Sequence, residues 1–158
     1  MATLGTESID VVLPAGVSGS DVSVTAGPSG GDVVNVANAV SGLTINASGS
    51  KATDITGASV SGSTVTATPA AGQTAVVAVE TTVFKNSDIT NTGTGSLDVE
   101  VTSGKVKGSS ITSGGSNDSV SFASKLKNTT IELGGGKDTV TFGKGTKIKK
   151  GVEIELSG

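Results

Sequence analysis

The side chains able to do chemistry in this chain are few and fall into two sets. Asp98, Asp118 and Asp138 recur every 20 residues. Lys105-Val106-Lys107, Lys125-Leu126-Lys127 and Lys147-Ile148-Lys149 recur as lysine–apolar–lysine triplets, and Phe84-Lys85 precedes them. His, Cys, Tyr, Trp and Arg are all missing, so the usual general base, thiol nucleophile and guanidinium clamp are unavailable. Three chemistries are left. Paired acids could act on a glycosidic bond, carboxylates could hold a hard cation, and ammonium groups could meet an acidic surface.

Carboxylates on adjacent strands would sit ~5 Å apart, near the separation in retaining glycosidases. One Asp at the same corner of every repeat suits a simpler role, capping the free amides of a turn. No catalytic residue is assigned on this reading, and the chain is read as non-enzymatic. The corners also carry a partial likeness to calcium-binding repeats. Leu133-Gly134-Gly135-Gly136-Lys137-Asp138-Thr139-Val140 resembles the RTX nonapeptide G-G-x-G-x-D-x-U-x. Ser113-Gly114-Gly115-Ser116-Asn117-Asp118-Ser119-Val120 and Gly30-Gly31-Asp32-Val33-Val34 follow it less closely. The resemblance implies calcium, with Asp98, Asp118 and Asp138 as candidate metal ligands. Two departures stand against it: the repeats here are 20 to 24 residues long, and Lys137 places a positive charge beside the site. No cofactor is expected on balance, and calcium is the one candidate ion.

The lysines are distributed with more specificity. Ten of the eleven lie after residue 84, whereas residues 1–80 hold six acids and one lysine. In a strand, two residues flanking an inward one both point outward. Stacked triplets therefore build two lysine ladders on one face, and like charges ~5 Å apart repel. Lys85, Lys105, Lys107, Lys125, Lys127, Lys147 and Lys149 are the candidate partner-binding residues. The competing reading is a solvated face, although mixed charge would serve solubility better. Nucleic acid is the least suited acidic partner, because arginine and an aromatic stacking platform are both lacking.

The elements that position these residues are internal repeats. Val17-Ser18-Gly19-Ser20-Asp21-Val22, Val40-Ser41-Gly42-Leu43-Thr44-Ile45 and Val60-Ser61-Gly62-Ser63-Thr64-Val65 share one pattern. Phe84-Lys85-Asn86-Ser87-Asp88-Ile89, Val106-Lys107-Gly108-Ser109-Ser110-Ile111 and Leu126-Lys127-Asn128-Thr129-Thr130-Ile131 continue it, with a looser copy from Ile148 to Ile154. The first apolar positions lie 23, 20, 24, 22, 20 and 22 residues apart, a period that marks a solenoid. Apolar residues make up only 34% and aromatics 2% of the chain. That is thin for a globular core but enough for stacked rows of Val, Ile and Leu. Disorder is the rival reading of so much Gly, Ser and Thr, and the registered Val and Ile argue against it.

The expected fold is all-β: a single right-handed parallel β-helix (β-solenoid) of about seven coils, 20–24 residues per coil, filling residues 1–158 as one domain. Residues 1–9 should cap the first coil and residues 148–158 form a capping coil, its edge charged by Lys149, Lys150, Glu153 and Glu155. Three inward columns follow. The first is Val34/Val36, Val77/Val79, Val99/Val101, Val120/Phe122 and Val140/Phe142; the second starts at Val17 and the third at Val22. Pro69-Ala70-Ala71-Gly72 should protrude as a loop.

The first ten residues have neither a basic nor an apolar leader region, and no apolar run reaches the ~18 residues of a membrane span. A soluble protein made in the cytoplasm is expected, without a membrane partner. With its Gly/Ser/Thr/Val-rich repeats and no cysteine, the chain resembles the β-helical structural proteins of bacteriophage virions. That resemblance implies a decoration, fibre or tail component, found in the virion after synthesis in the host cytoplasm. It also implies a homotrimer whose partners are other structural proteins. A bacterial surface adhesin or envelope-layer protein at the cell surface is the alternative.

Overall fold

The computed structural model describes residues 2–3, 10–13, 23–26, 32–36, 39–47 and 52–157, with side chains over 39–46 and 53–157. Its strands open with β1 (Ala2–Thr3), β2 (Asp10–Leu13), β3 (Ser23–Ala26), β4 (Asp32–Val36), β5 (Val40–Ser41) and β6 (Thr44–Ala47). The middle of the chain forms β7 (Ala52–Ser61), β8 (Thr64–Ala67), β9 (Thr74–Lys85), β10 (Asp88–Asn91), β11 (Ser96–Val101), β12 (Lys105–Lys107) and β13 (Ser110–Ser113). Then follow β14 (Ser119–Phe122), β15 (Lys125–Lys127), β16 (Thr129–Leu133), β17 (Thr139–Phe142), β18 (Lys147–Ile148) and β19 (Val152–Leu156).

Every pairing among them is parallel, and strands pair with counterparts one repeat away rather than with sequence neighbours. This is a β-solenoid, of about five turns over the unbroken stretch 52–157. It has three faces. The first stacks β2, β4, the leading half of β7, the leading half of β9, β11, β14 and β17. On the second lie β5, the trailing halves of β7 and β9, β12, β15 and β18. The third is the eight-stranded sheet β1-β3-β6-β8-β10-β13-β16-β19. Among the described residues no helix is long and apolar enough to cross a membrane.

Burial alternates along each strand as a half-buried surface requires. In β11, Leu97, Val99 and Val101 are buried while Glu100 is exposed. The second inward column, Val40-Val60-Phe84-Val106-Leu126-Ile148, is in register throughout. Ring stacking extends the first column, with Phe122 and Phe142 centroids 5.9 Å apart.

Two expected registers are corrected. Val24, not Val22, pairs with Ile45 on the third face. On the first face Val34 stacks on Ile55 and Ile55 on Val79, so Val36 leads through Gly57 to Thr81. Both errors are slips of two residues, which leave every side chain on its own face; hydrophobic alternation cannot detect them. Val17, Val22 and residues 4–9 lie outside the described residues, while Ala2–Thr3 joins the third face as a rung.

The corner between second and third faces is the tightest. Gly62, Asn86, Gly108 and Asn128 occupy it with φ of 56°, 48°, 61° and 47°. Gly and Asn tolerate this left-handed region best. Amides continue the ladder around the bend: Gly62 N donates to Lys85 O at 3.0 Å, Asn86 N to Lys107 O at 2.9 Å and Gly108 N to Lys127 O at 3.1 Å. The Pro69 loop protrudes only at its tip. Pro69 itself is buried, and its carbonyl accepts the amides of Thr94 and Gly95, both at 3.0 Å.

Candidate functional site

Lysine strands β12 and β15 occupy the middle of the second face. Lys105 pairs with Lys125 and Lys125 with Lys147, giving one ladder whose preceding rung is Val83. Lys85 pairs with Lys107 and Lys107 with Lys127, giving the other. Lys149 follows the same side: its amide donates to Leu126 O at 2.9 Å, and it lines a groove with Lys127. That groove, about 130 Å³, runs between the ladders over the buried Val106 and Leu126. Rungs ~4.8 Å apart thus hold a double row of lysines whose like charges repel.

A set of buried hydroxyls, not foreseen from the sequence, anchors this face. Ser63, Ser87, Ser109 and Thr129 follow the left-handed corner residue and point inward, between 0% and 4% exposed. Each donates to the carbonyl two residues back: Ser87 Oγ to Lys85 O at 2.9 Å, Ser109 Oγ to Lys107 O at 3.4 Å and Thr129 Oγ1 to Lys127 O at 3.1 Å. Three of them also accept an amide from the preceding coil: Leu43 N to Ser63 Oγ at 3.0 Å, Ser63 N to Ser87 Oγ at 3.1 Å and Ser87 N to Ser109 Oγ at 3.3 Å. Turning the strand through a corner leaves amides that cannot reach a backbone carbonyl, and the hydroxyls satisfy them. The carbonyls so held belong to the outer lysine ladder. The signal lay in the sequence, a Ser or Thr after Gly or Asn in five copies, Gly19-Ser20 included, where it resembled ordinary turn composition.

The aspartates do not form one ladder. Asp98 pairs with Ser119, so it stands one position away from the line of Asp118 and Asp138. The coil between Leu97 and Asp118 is 21 residues long, and that between Asp118 and Asp138 is 20. Equal sequence spacing therefore hides a one-residue slip, which moves Asp98 to the opposite side of its strand. Asp118 and Asp138 act alike: Asp118 Oδ1 accepts Leu97 N at 2.7 Å and Asp138 Oδ1 accepts Asp118 N at 3.0 Å. Both cap a corner amide of the preceding coil. Asp118 is 2% exposed, and its Oδ2 has no hydrogen-bond partner. Burial pushes its carboxyl above the ordinary range; the Leu97 amide and the nearby Ser113 hydroxyl pull against this, and the Asp138 carboxylate adds to it.

At Gly134 and Gly136, though not at Gly114 or Gly115, glycine serves close packing. A Cβ on Gly134 would lie 2.2 Å from Gly114 O, in the coil below. Coil-to-coil approach thus accounts for Gly134 and Gly136 in the stretch most like the calcium repeats. Among the described residues no three of His, Cys, Asp or Glu gather as a metal-holding group. No family model, no curated protein and no solved structure matches this chain.

Proposed function

We propose that this protein is a non-enzymatic structural component of a larger assembly, docking onto an acidic partner through the lysine-walled groove of its second face. One observation carries the reading: two lysine ladders stand in register on one face and wall a groove over Val106 and Leu126. A fold does not maintain such self-repulsion for its own stability. Each exposed pair made with a partner would contribute only ~0.2–1 kcal/mol, but several acting together set orientation and speed encounter. The buried hydroxyls support the same reading, because they fix the strand carrying the outer ladder. The finer architecture belongs to this proposal as well: a right-handed solenoid of seven coils of 20–24 residues, handed as parallel crossovers generally are. Placement in a phage virion rests on repeat style alone, and the docking role does not depend on it. No metal or cofactor enters the proposal.

The test replaces Lys105, Lys107, Lys125 and Lys127 together by Ser and titrates both proteins with poly-glutamate at low and moderate salt. The parent should bind with strong salt dependence and the variant about tenfold or more weakly, with equal β-structure by circular dichroism. Equal binding by an intact variant would reduce the ladders to a solvated face.

A further inference from the structure

The lysines of the second face have a counterpart of opposite charge on the third. Glu132 and Glu155 are partners on adjacent rungs, and Glu153 stands two residues before Glu155 in β19, above Thr130. All three are exposed. They flank the inward column, because Ile154 stacks on the buried Ile131. Their side chains therefore leave the side of the solenoid, and keep that direction whatever lies above β19. Like stacks on like here as it does among the lysines, and both stacks repel themselves. The two signs do not mix: the eight strands of the third face hold no lysine, and β12, β15 and β18 hold no acid.

We propose that the acidic partner of the lysine groove is a second copy of this chain, docking side by side through its third face. The inference rests on the docking reading above and names the occupant. Spacing selects it. Outward residues two apart in one strand lie ~6.6 Å apart, and partners on adjacent rungs lie ~4.8 Å apart. Lys105, Lys107, Lys125 and Lys127 form one cell with those two spacings, and Lys147 and Lys149 extend it by a rung. Glu132, Glu153 and Glu155 are three corners of a cell of the same dimensions, with Thr130 at the fourth. Three carboxylates can thus meet three ammonium groups at once, which relieves the repulsion on both faces. An acidic helix repeats at ~5.4 Å per turn and drifts out of step with the rungs. A lone acidic strand supplies only the longer spacing. The first face is a poorer match than the third. Asp98 and Glu100 share a rung there, but Ser119 and Ser121 lie above them and Val76 and Ala78 below. Because the contact joins two different surfaces it is heterologous: a copy that gives its glutamates still offers its lysines, and assembly continues past two.

The experiment compares two variants of the full chain by sedimentation at low and moderate salt. Replacing Lys105, Lys107, Lys125 and Lys127 by Ser keeps the glutamate face; Glu132→Gln with Glu153→Gln and Glu155→Gln keeps the lysine face. The parent should grow from monomer through dimer to larger species as concentration rises, and moderate salt should weaken this about tenfold or more. Each variant alone should self-associate at least about tenfold more weakly. An equimolar mixture should form a one-to-one pair and stop there, because each copy retains one competent face. Circular dichroism checks that both variants keep their β-structure. A parent that stays monomeric or stops at two, variants that associate like the parent, or a mixture that does not pair would each overturn the proposal. Poly-glutamate separates this inference from the docking reading, since the glutamine variant keeps its lysine groove. If that variant binds poly-glutamate while no copies pair, only the second copy is ruled out; if it binds neither, both readings fall.

Discussion

Ser87 sits fully inside the solenoid, yet both roles of its hydroxyl are used: it donates to Lys85 O and accepts Ser63 N. Buried polar groups are tolerable on that condition, since an unmade bond costs ~1–3 kcal/mol. Asp118 is the contrast. One of its oxygens caps Leu97 and the other is buried without a partner. Its carboxyl value is raised in the folded chain, chiefly by burial. The folded protein therefore keeps this proton where the unfolded chain has released it. Stability from this group is fully present in acid and declines as pH rises from about the ordinary value of 3.8 through the raised one. Asp118→Asn keeps the amide acceptor and cannot ionise. Thermal melts across that window should show the parent losing stability relative to the variant as pH rises; parallel curves would refute the assignment.

Each coil is built from short strands and one demanding corner, and the lysine triplets depend on that corner. Asn128, at φ 47°, turns the chain from β15 into β16, and its amide donates to Lys150 O at 3.1 Å. A β-branched residue there meets its own backbone, so Asn128→Val should cost ~1–2 kcal/mol or more in chemical denaturation. Asn128→Gly keeps the conformation and should fall within a few tenths of the parent. Equal losses would show that side-chain contacts of Asn128, rather than the left-handed bend, hold the corner. Alternation within β12 and β15 then does the rest, turning Val106 and Leu126 inward and their lysine neighbours out.

Across the whole molecule, position along the stack decides what a residue contributes. Ile111, Ile131 and Ile154 share one column, but Ile131 is 0% exposed and Ile154 is 42%. An unpaired carboxylate between two coils costs several kcal/mol, whereas at the open end it keeps much of its water. Ile131→Asp should therefore unfold the protein or lower its melting temperature by many degrees, and Ile154→Asp should do far less. Similar losses at the two sites would refute this dependence on position in the stack.

Repeat length, parallel β-solenoid fold and inward columns were all legible in the amino-acid sequence. They follow from local properties: two-residue alternation, a recurring Gly or Asn at a bend, and an apolar residue every 20 to 24 positions. The lysine triplets were legible too, because flanking an inward residue settles their direction. Register between coils was not. Coils differ in length, so Val22 and Val24 are equivalent to any alternation rule, and Asp98 shares a 20-residue spacing with Asp118 without sharing its place. Stacking chose among these options by bringing Val24 to Ile45 and Leu97 to Asp118. The buried hydroxyl ladder was likewise decided in three dimensions. Whether a serine is a solvated turn residue or an internal cap depends on the coil beside it, and whether an isoleucine is core or surface depends on the coil above.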